Sequence, residues 1–253
     1  MILGAWKLEW IRMWRTKRIV AVVATFVLLG LAGPIALHYL PELIKAGSKN
    51  GAPVPVLPKV QPVQGIANLG SNISSIGSLI VAIVTASTLG LDSNRSIAAF
   101  YRSRVRNPVA LIMPRMASSA AIAIAALALG ALGAWYETEV LLGHVPLAPL
   151  AAGFLFESLW LCLVVGVTAF YASVLRSVAG AAGASVATLL VTALLSAVPH
   201  LSPWLPTRLS GSLSMLIGQP AGDIWKAVLV AAVATLAAVA VSIRLFAQRE
   251  PGA

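Results

Sequence analysis

Charge is scarce in this chain. Of its 253 residues only 10% are Asp, Glu, Lys or Arg, against about 25% in an average soluble domain. That scarcity excludes an ordinary water-soluble globule. It equally excludes a disordered chain, which needs low hydrophobicity and much charge. Cysteine is nearly absent: Cys162 stands alone inside an apolar run, so neither an internal disulfide nor a zinc spacing is available, and it reads as a small buried hydrophobe. The three histidines (His38, His144, His200) are scattered. No Gly directly precedes a Lys, and no two Gly are separated by one residue. A phosphate loop and a dinucleotide fingerprint are therefore missing, as are G-x-S-x-G and H-E-x-x-H. No catalytic residue, metal ligand or cofactor is expected in this chain.

What is abundant is apolar sequence, 59% of the total, in long uninterrupted runs. Residues 19–41, 60–91, 116–136, 177–207 and 227–243 contain no Asp, Glu, Lys or Arg, and 140–175 are broken only by Glu157. A helix needs about 20 apolar residues to cross a bilayer. The expected fold is therefore an all-α integral membrane protein with six transmembrane helices, near 19–40, 68–91, 116–136, 149–173, 178–198 and 223–244, forming a single domain over 1–253. The first run is too long for the apolar part of a signal peptide, about 7–15 residues, and is read as a retained span.

The net charge of +10 often suggests nucleic acid. Here its distribution explains it better, and nucleic acid is not an expected partner. Thirteen of the 18 Lys and Arg fall on the side holding 1–18, 92–115, 176 and 244–253. Excess cations mark the cytoplasmic side, which places both termini of a multi-pass plasma (inner) membrane protein in the cytoplasm.

Three segments outside the spans are informative. Residues 1–18 place Ile2, Leu3, Trp6, Trp10, Met13 and Trp14 on one helical face, with most of the cations opposite. Three Trp on one face favour an amphipathic helix lying at the lipid interface, anchored by Trp6, Trp10 and Trp14, over a tail that merely fixes topology. Residues 92–115 form an Arg-rich loop in which Ile97, Phe100, Tyr101 and Val105 recur at helical spacing; that stripe can dock into a groove on a partner. Residues 199–222 are apolar but broken by Pro and Gly, a pattern of short re-entrant or interfacial helices before the last span. The stretch 41–65, with five Pro, reads as irregular. Pairs of small residues four apart (Gly130 and Ala134, Ala179 and Gly183, Gly180 and Ala184) allow close helix approach. Glu157 lies well inside the fourth span. An intramembrane carboxylate is a functional-site hypothesis by default; the structural alternative is a Glu bonded to hydroxyls such as Ser158 or Thr168.

This order of parts resembles the membrane subunit of ABC-2-type exporters over nearly the whole chain: an elbow helix, six spans, a cytoplasmic coupling helix between spans two and three, a tight turn between four and five, and a broken apolar segment before six. The best local match runs from Asp92 to Arg115. Family members carry an acidic run, Gly-Thr, an apolar stretch, a Pro and a basic residue about eight further on. Here the acidic run is reduced to Asp92, Arg95-Ser96 stands for Gly-Thr, and Pro108 and Arg115 match. The stretch from Ala99 to Val109, with Pro114-Arg115, is similar to permeases common in actinobacteria. The resemblance implies an ATP-driven permease that exports an amphiphilic or lipophilic substrate (a drug, lipid or peptide), without ATP hydrolysis of its own. ATP and Mg would sit on separate cytoplasmic ATP-binding subunits, coupled through Asp92, Ser96, Phe100, Tyr101, Arg102, Arg104, Pro108 and Arg176. The chain would pair with itself or a similar permease. The competing reading is an ion-coupled secondary transporter or channel that uses Glu157. A membrane enzyme or a structural assembly subunit ranks last, because it would need polar groups converging at one depth.

Overall fold

The computed structural model describes residues 2–47, 61–90, 109–175, 177–217, 222 and 224–248. Among them there are helices and turns and no strand. We number the α-helices in chain order: α1 (Ile2–Arg15), α2 (Arg18–Gly47), α3 (Pro62–Asn72), α4 (Ser78–Leu89), α5 (Val109–Leu141), α6 (Leu147–Val174), α7 (Val178–Leu195), α8 (Ser212–Met215) and α9 (Ile224–Gln248). A π-helical turn, Ile73–Gly77, joins α3 to α4 into one crossing. Two 3₁₀ turns, Ser202–Trp204 and Pro206–Leu209, precede α8. Six segments are long and apolar enough to cross a membrane, in the expected order.

Several boundaries differ from expectation, for reasons that lie in the prolines. α2 continues through Pro34 and Pro41 to Gly47, so part of the stretch expected to be irregular is helix; residues 48–60 of it lie outside the described residues. The second crossing begins at Pro62, where the missing N–H costs nothing in the first turn. α5 starts at Val109 and runs straight through Pro114. A proline so near a helix start removes a single backbone bond, and membrane helices tolerate that loss. Between α6 and α7 the turn is tight, and the Ser177 hydroxyl caps α7 by accepting from the Gly180 N–H at 3.2 Å.

In a membrane span the helix hydrogen bonds are satisfied internally, so packing depends on how closely helices approach. α2 packs mainly along α5, and α9 along α6. At the first crossing Gly30 faces Gly130: a Cβ on Gly30 would overlap the Gly130 carbonyl, and one on Gly130 would sit 2.6 Å from the Phe26 carbonyl oxygen. Of the small-residue pairs read from sequence, Gly130 and Ala134 are thus at a real contact. Among the described residues Gly183 meets nothing within 4 Å, and a Cβ on Gly180 would meet only Leu175 and Ser177 of the adjoining turn, so neither glycine marks a close helix crossing there. Phe26, Ile66, Leu127 and Leu161 form the centre of the core, joined by Leu209 and Leu213 from the broken segment. That segment therefore inserts into the bundle. α7 and α9 turn Leu190, Leu194, Val233 and Leu236 outward, the face that lipid covers.

Candidate functional site

With six crossings, both termini lie on one face of the bundle, here termed the terminal face; the broken segment 199–217 lies on the far face. Each face carries one buried carboxylate.

On the far face, α6 brings Glu157 about ten residues, roughly 15 Å, into the bundle from Leu147. It is fully buried. The notion that Ser158 or Thr168 holds it is corrected: those hydroxyls donate to the Phe154 and Val164 carbonyls of their own helix, as hydroxyls inside membrane helices commonly do. Glu157 instead meets the broken segment. Its Oε2 accepts the Gly211 N–H at 2.7 Å and lies 3.4 Å from the Ser212 hydroxyl, which donates to the Gly153 carbonyl at 2.9 Å. Its Oε1 has no hydrogen-bond partner. Two glycines make this docking possible. Gly211 has φ +85°, a left-handed conformation that favours glycine. A Cβ on Gly153 would stand 2.5 Å from the Ser212 carbonyl oxygen and 2.7 Å from the Leu213 Cα. One turn of α6 thus offers an acceptor and a flat patch to a returning loop.

Beside this clamp is a cavity of about 380 Å³ bounded by the π-turn, α4, α7 and the broken segment. The segment forms its roof. The π-turn and its flanks carry hydroxyls: Ser74 donates to Ser210 of the roof at 3.1 Å, and Ser78, at the start of α4, reaches back to the Ile73 carbonyl at 3.0 Å. Trp160 of α6 donates to the Ser78 hydroxyl at 3.1 Å. Widened turns of this kind cluster at functional sites. Nothing in periodicity or charge pattern marked these serines; the signal was the cluster Ser71, Asn72, Ser74, Ser75 and Ser78 inside a span without charge.

On the terminal face, α1 turns Glu9 and Met13 inward. Met13 was expected on the lipid face; it is buried instead, because the bundle takes one edge of the apolar arc and leaves Trp6, Trp10 and Trp14 exposed on the remainder. Glu9 pairs with Arg12 at 3.3 Å and with buried Arg115 at 3.4 Å. Arg12 and Arg115 also donate to the Thr88 carbonyl at 3.1 and 3.3 Å, and Arg18 donates to the Thr88 hydroxyl at 3.0 Å. The free carbonyls at a helix C-terminus carry partial negative charge and attract cations. Three guanidiniums and one carboxylate therefore tie α1, the end of α4 and the start of α5 into one knot. Sequence reasoning missed Glu9, which looked like one more charge on a solvated face.

The residues assigned to ATPase coupling (Asp92, Ser96, Phe100, Tyr101, Arg102, Arg104, Pro108 and Arg176) all lie outside the described residues. Among the described residues no group of three His, Cys, Asp or Glu gathers as a metal site would.

No family model matches the chain. It is 24% identical over 205 residues, 79% of each chain, to the uncharacterized transmembrane protein YxlG of Bacillus subtilis (strain 168). With its six apolar helices and its cavity, the chain is a multi-pass, transporter-like membrane protein.

Proposed function

We propose that this chain is the membrane-spanning permease of an ATP-driven exporter for an amphiphilic or lipophilic substrate. In this reading it hydrolyses no ATP itself. Two cytoplasmic ATP-binding subunits carry ATP and Mg and dock on the loop 92–107 and the turn near Arg176, and the chain pairs with itself or a similar permease. Both termini then face the cytoplasm of a plasma (inner) membrane, as the cation bias requires.

The observation that carries the proposal is the knot on Thr88. Thr88 lies in the last turn of the crossing that enters the loop, and Arg115 in the second turn of the helix that leaves it. α1 is tied to both ends through Glu9 and Arg12. A push on the loop would move the second and third spans and the interfacial helix together. The cavity lies at the other end of the same crossing, under the roof that Glu157 holds. A motor at one face and a gated cavity at the other are what export by a motorless subunit requires.

The experiment is purification of the native membrane complex, followed by Phe100→Ala and Tyr101→Ala. The expected result is loss of a co-purifying ATPase and of ATP-driven transport. Retention of both in the variants counts against the reading. The ion-coupled alternative draws on one observation, the unpartnered buried Oε1 of Glu157. Against it, the other oxygen is engaged by the roof, and Glu157 does not line the cavity. Solute uptake into proteoliposomes from an ion gradient, with no ATPase present and abolished by Glu157→Gln, would replace the ATP-driven reading.

A further inference from the structure

The cavity has two chemically distinct walls. Leu79 of α4 and Val186, Leu189, Leu190 and Ala193 of α7 make one aliphatic. The other carries hydroxyls of the π-turn and roof, among them Ser75, Ser202, Thr207 and Ser210, and a single charge, Arg208. Among the described residues no acidic side chain lines the cavity. Arg208 is half-buried, and among the described residues its side chain makes no ion pair or hydrogen bond. A half-buried cation gains from an anion. Leu79 and Leu190 are also exposed on the outer surface of the bundle, so the aliphatic wall is continuous with the lipid-facing surface. The volume falls within the range of small-molecule sites.

We propose that this cavity binds a single anionic amphiphile. Arg208, with the hydroxyls of Ser75, Ser202 and Ser210 that line the cavity, holds a phosphate-like or other anionic head, and the hydrocarbon chain runs along Leu79 and the α7 wall towards the bilayer. Neutral hydroxyls alone would take a sugar head equally well; the unpaired guanidinium selects charge. A cationic amphiphile finds no carboxylate here. Glu157 acts as a positioning residue, because its bond to Gly211 fixes the roof turn that presents Thr207 and Arg208. That the bound amphiphile is cargo rests on the export reading above; that it binds does not.

The test uses the whole chain in phosphatidylcholine nanodiscs, without any ATPase, and follows the unfolding midpoint as probes are added; a ligand of the folded state raises the midpoint saturably. Decyl phosphate is expected to do so, and decyltrimethylammonium and decyl glucoside are expected to do so at least tenfold more weakly. Inorganic phosphate alone is expected to have no effect; equal binding of inorganic phosphate would overturn the amphiphile assignment in favour of a free-anion site. Arg208→Gln is expected to weaken decyl phosphate about tenfold or more, the loss of one charge-assisted contact. Ala193→Trp, which fills the cavity and leaves Arg208 in place, is expected to abolish binding and decides the matter if the Arg208 variant does not fold. Unchanged decyl phosphate affinity in Ala193→Trp, or equal affinity for the cationic or glucoside probe, overturns the proposal. Either result leaves the export reading to its own experiment.

Discussion

Glu9 and Glu157 are both buried carboxylates, one at each end of the bundle, and their surroundings are opposite. Glu9 sits among guanidiniums: Arg12 and Arg115 face it, and Arg18 joins them on Thr88. Glu157 meets only neutral donors, the Gly211 N–H and the Ser212 hydroxyl. The first is an electrostatic tie, whose strength depends on charge. The second is a shape-dependent clasp, in which an oxygen at the right place matters more than its charge. Movement has opposite consequences in the two cases. Separating Glu9 from Arg115 would weaken the compensation of two buried ions at once, so the knot moves as a unit. Releasing Gly211 from Glu157 frees one N–H that water can satisfy on the far face, so the roof can lift at modest cost.

The largest effect is therefore expected at the knot. Glu9→Ala removes one countercharge of the buried Arg115 and should give the largest loss of the set, up to about 3–5 kcal/mol, the range for breaking a buried ion pair. Thermal unfolding in a mild detergent measures it. Glu9→Met with Arg115→Met, which removes both charges, should recover most of that loss. If the double variant is as unstable as Glu9→Ala, the knot acts through packing and the contrast between the two ends fails.

Next in size is Gly153→Ala. Its methyl would stand 2.5 Å from a backbone oxygen of the roof, and backbone cannot rotate away as a side chain can. The expected cost is about 1–3 kcal/mol, as for other overpacked sites. Faster amide exchange should be confined to 206–216. Uniform exchange across all helices would mean that the roof is not a separate unit.

Glu157 supplies the direct comparison with Glu9. Glu157→Ala leaves the Gly211 N–H without its acceptor, at about 1–3 kcal/mol. Glu157→Gln keeps an oxygen for Gly211 and should cost about 1 kcal/mol or less. At Glu9 the same Gln substitution removes the countercharge and should cost several times more. Equal losses for Gln at the two positions, measured by the same unfolding assay, would erase the distinction.

Much of this architecture was legible because a bilayer imposes a length on apolar runs and an asymmetry on cations. The six crossings and the broken segment before the last follow from that alone. The contacts that lock the ends were not legible. Glu157 and Gly211 are 54 residues apart, and no period links a carboxylate in one span to a glycine N–H in a distant loop. Glu157 could be singled out because charge inside an apolar run is conspicuous. Glu9 could not, because charge beside Lys7 and Arg12 is ordinary on an amphipathic helix; only the rotation of α1 against Thr88 and Arg115 gives it meaning. Likewise the partner of Gly130 is Gly30 on another helix, which spacing within one helix cannot reveal.

A third carboxylate marks the lower limit of the comparison. Glu139, near the far-face end of α5, accepts the Val145 N–H at 2.9 Å and lies 2.7 Å from His144 Nδ1. It faces an imidazole where Glu9 faces guanidiniums, and a backbone N–H, as Glu157 does, yet the His144 side chain is 80% exposed. Water competes for both partners, and exposed ion pairs contribute little. His144→Ala should leave the unfolding midpoint unchanged within the error of a thermal scan. Glu139→Ala, which also removes the acceptor for Val145, should show a small but measurable loss, because that N–H begins the turn into α6. A large loss on His144→Ala would mean that a membrane surface or a partner shields this pair, and burial would then no longer separate the strong carboxylate sites from the weak one.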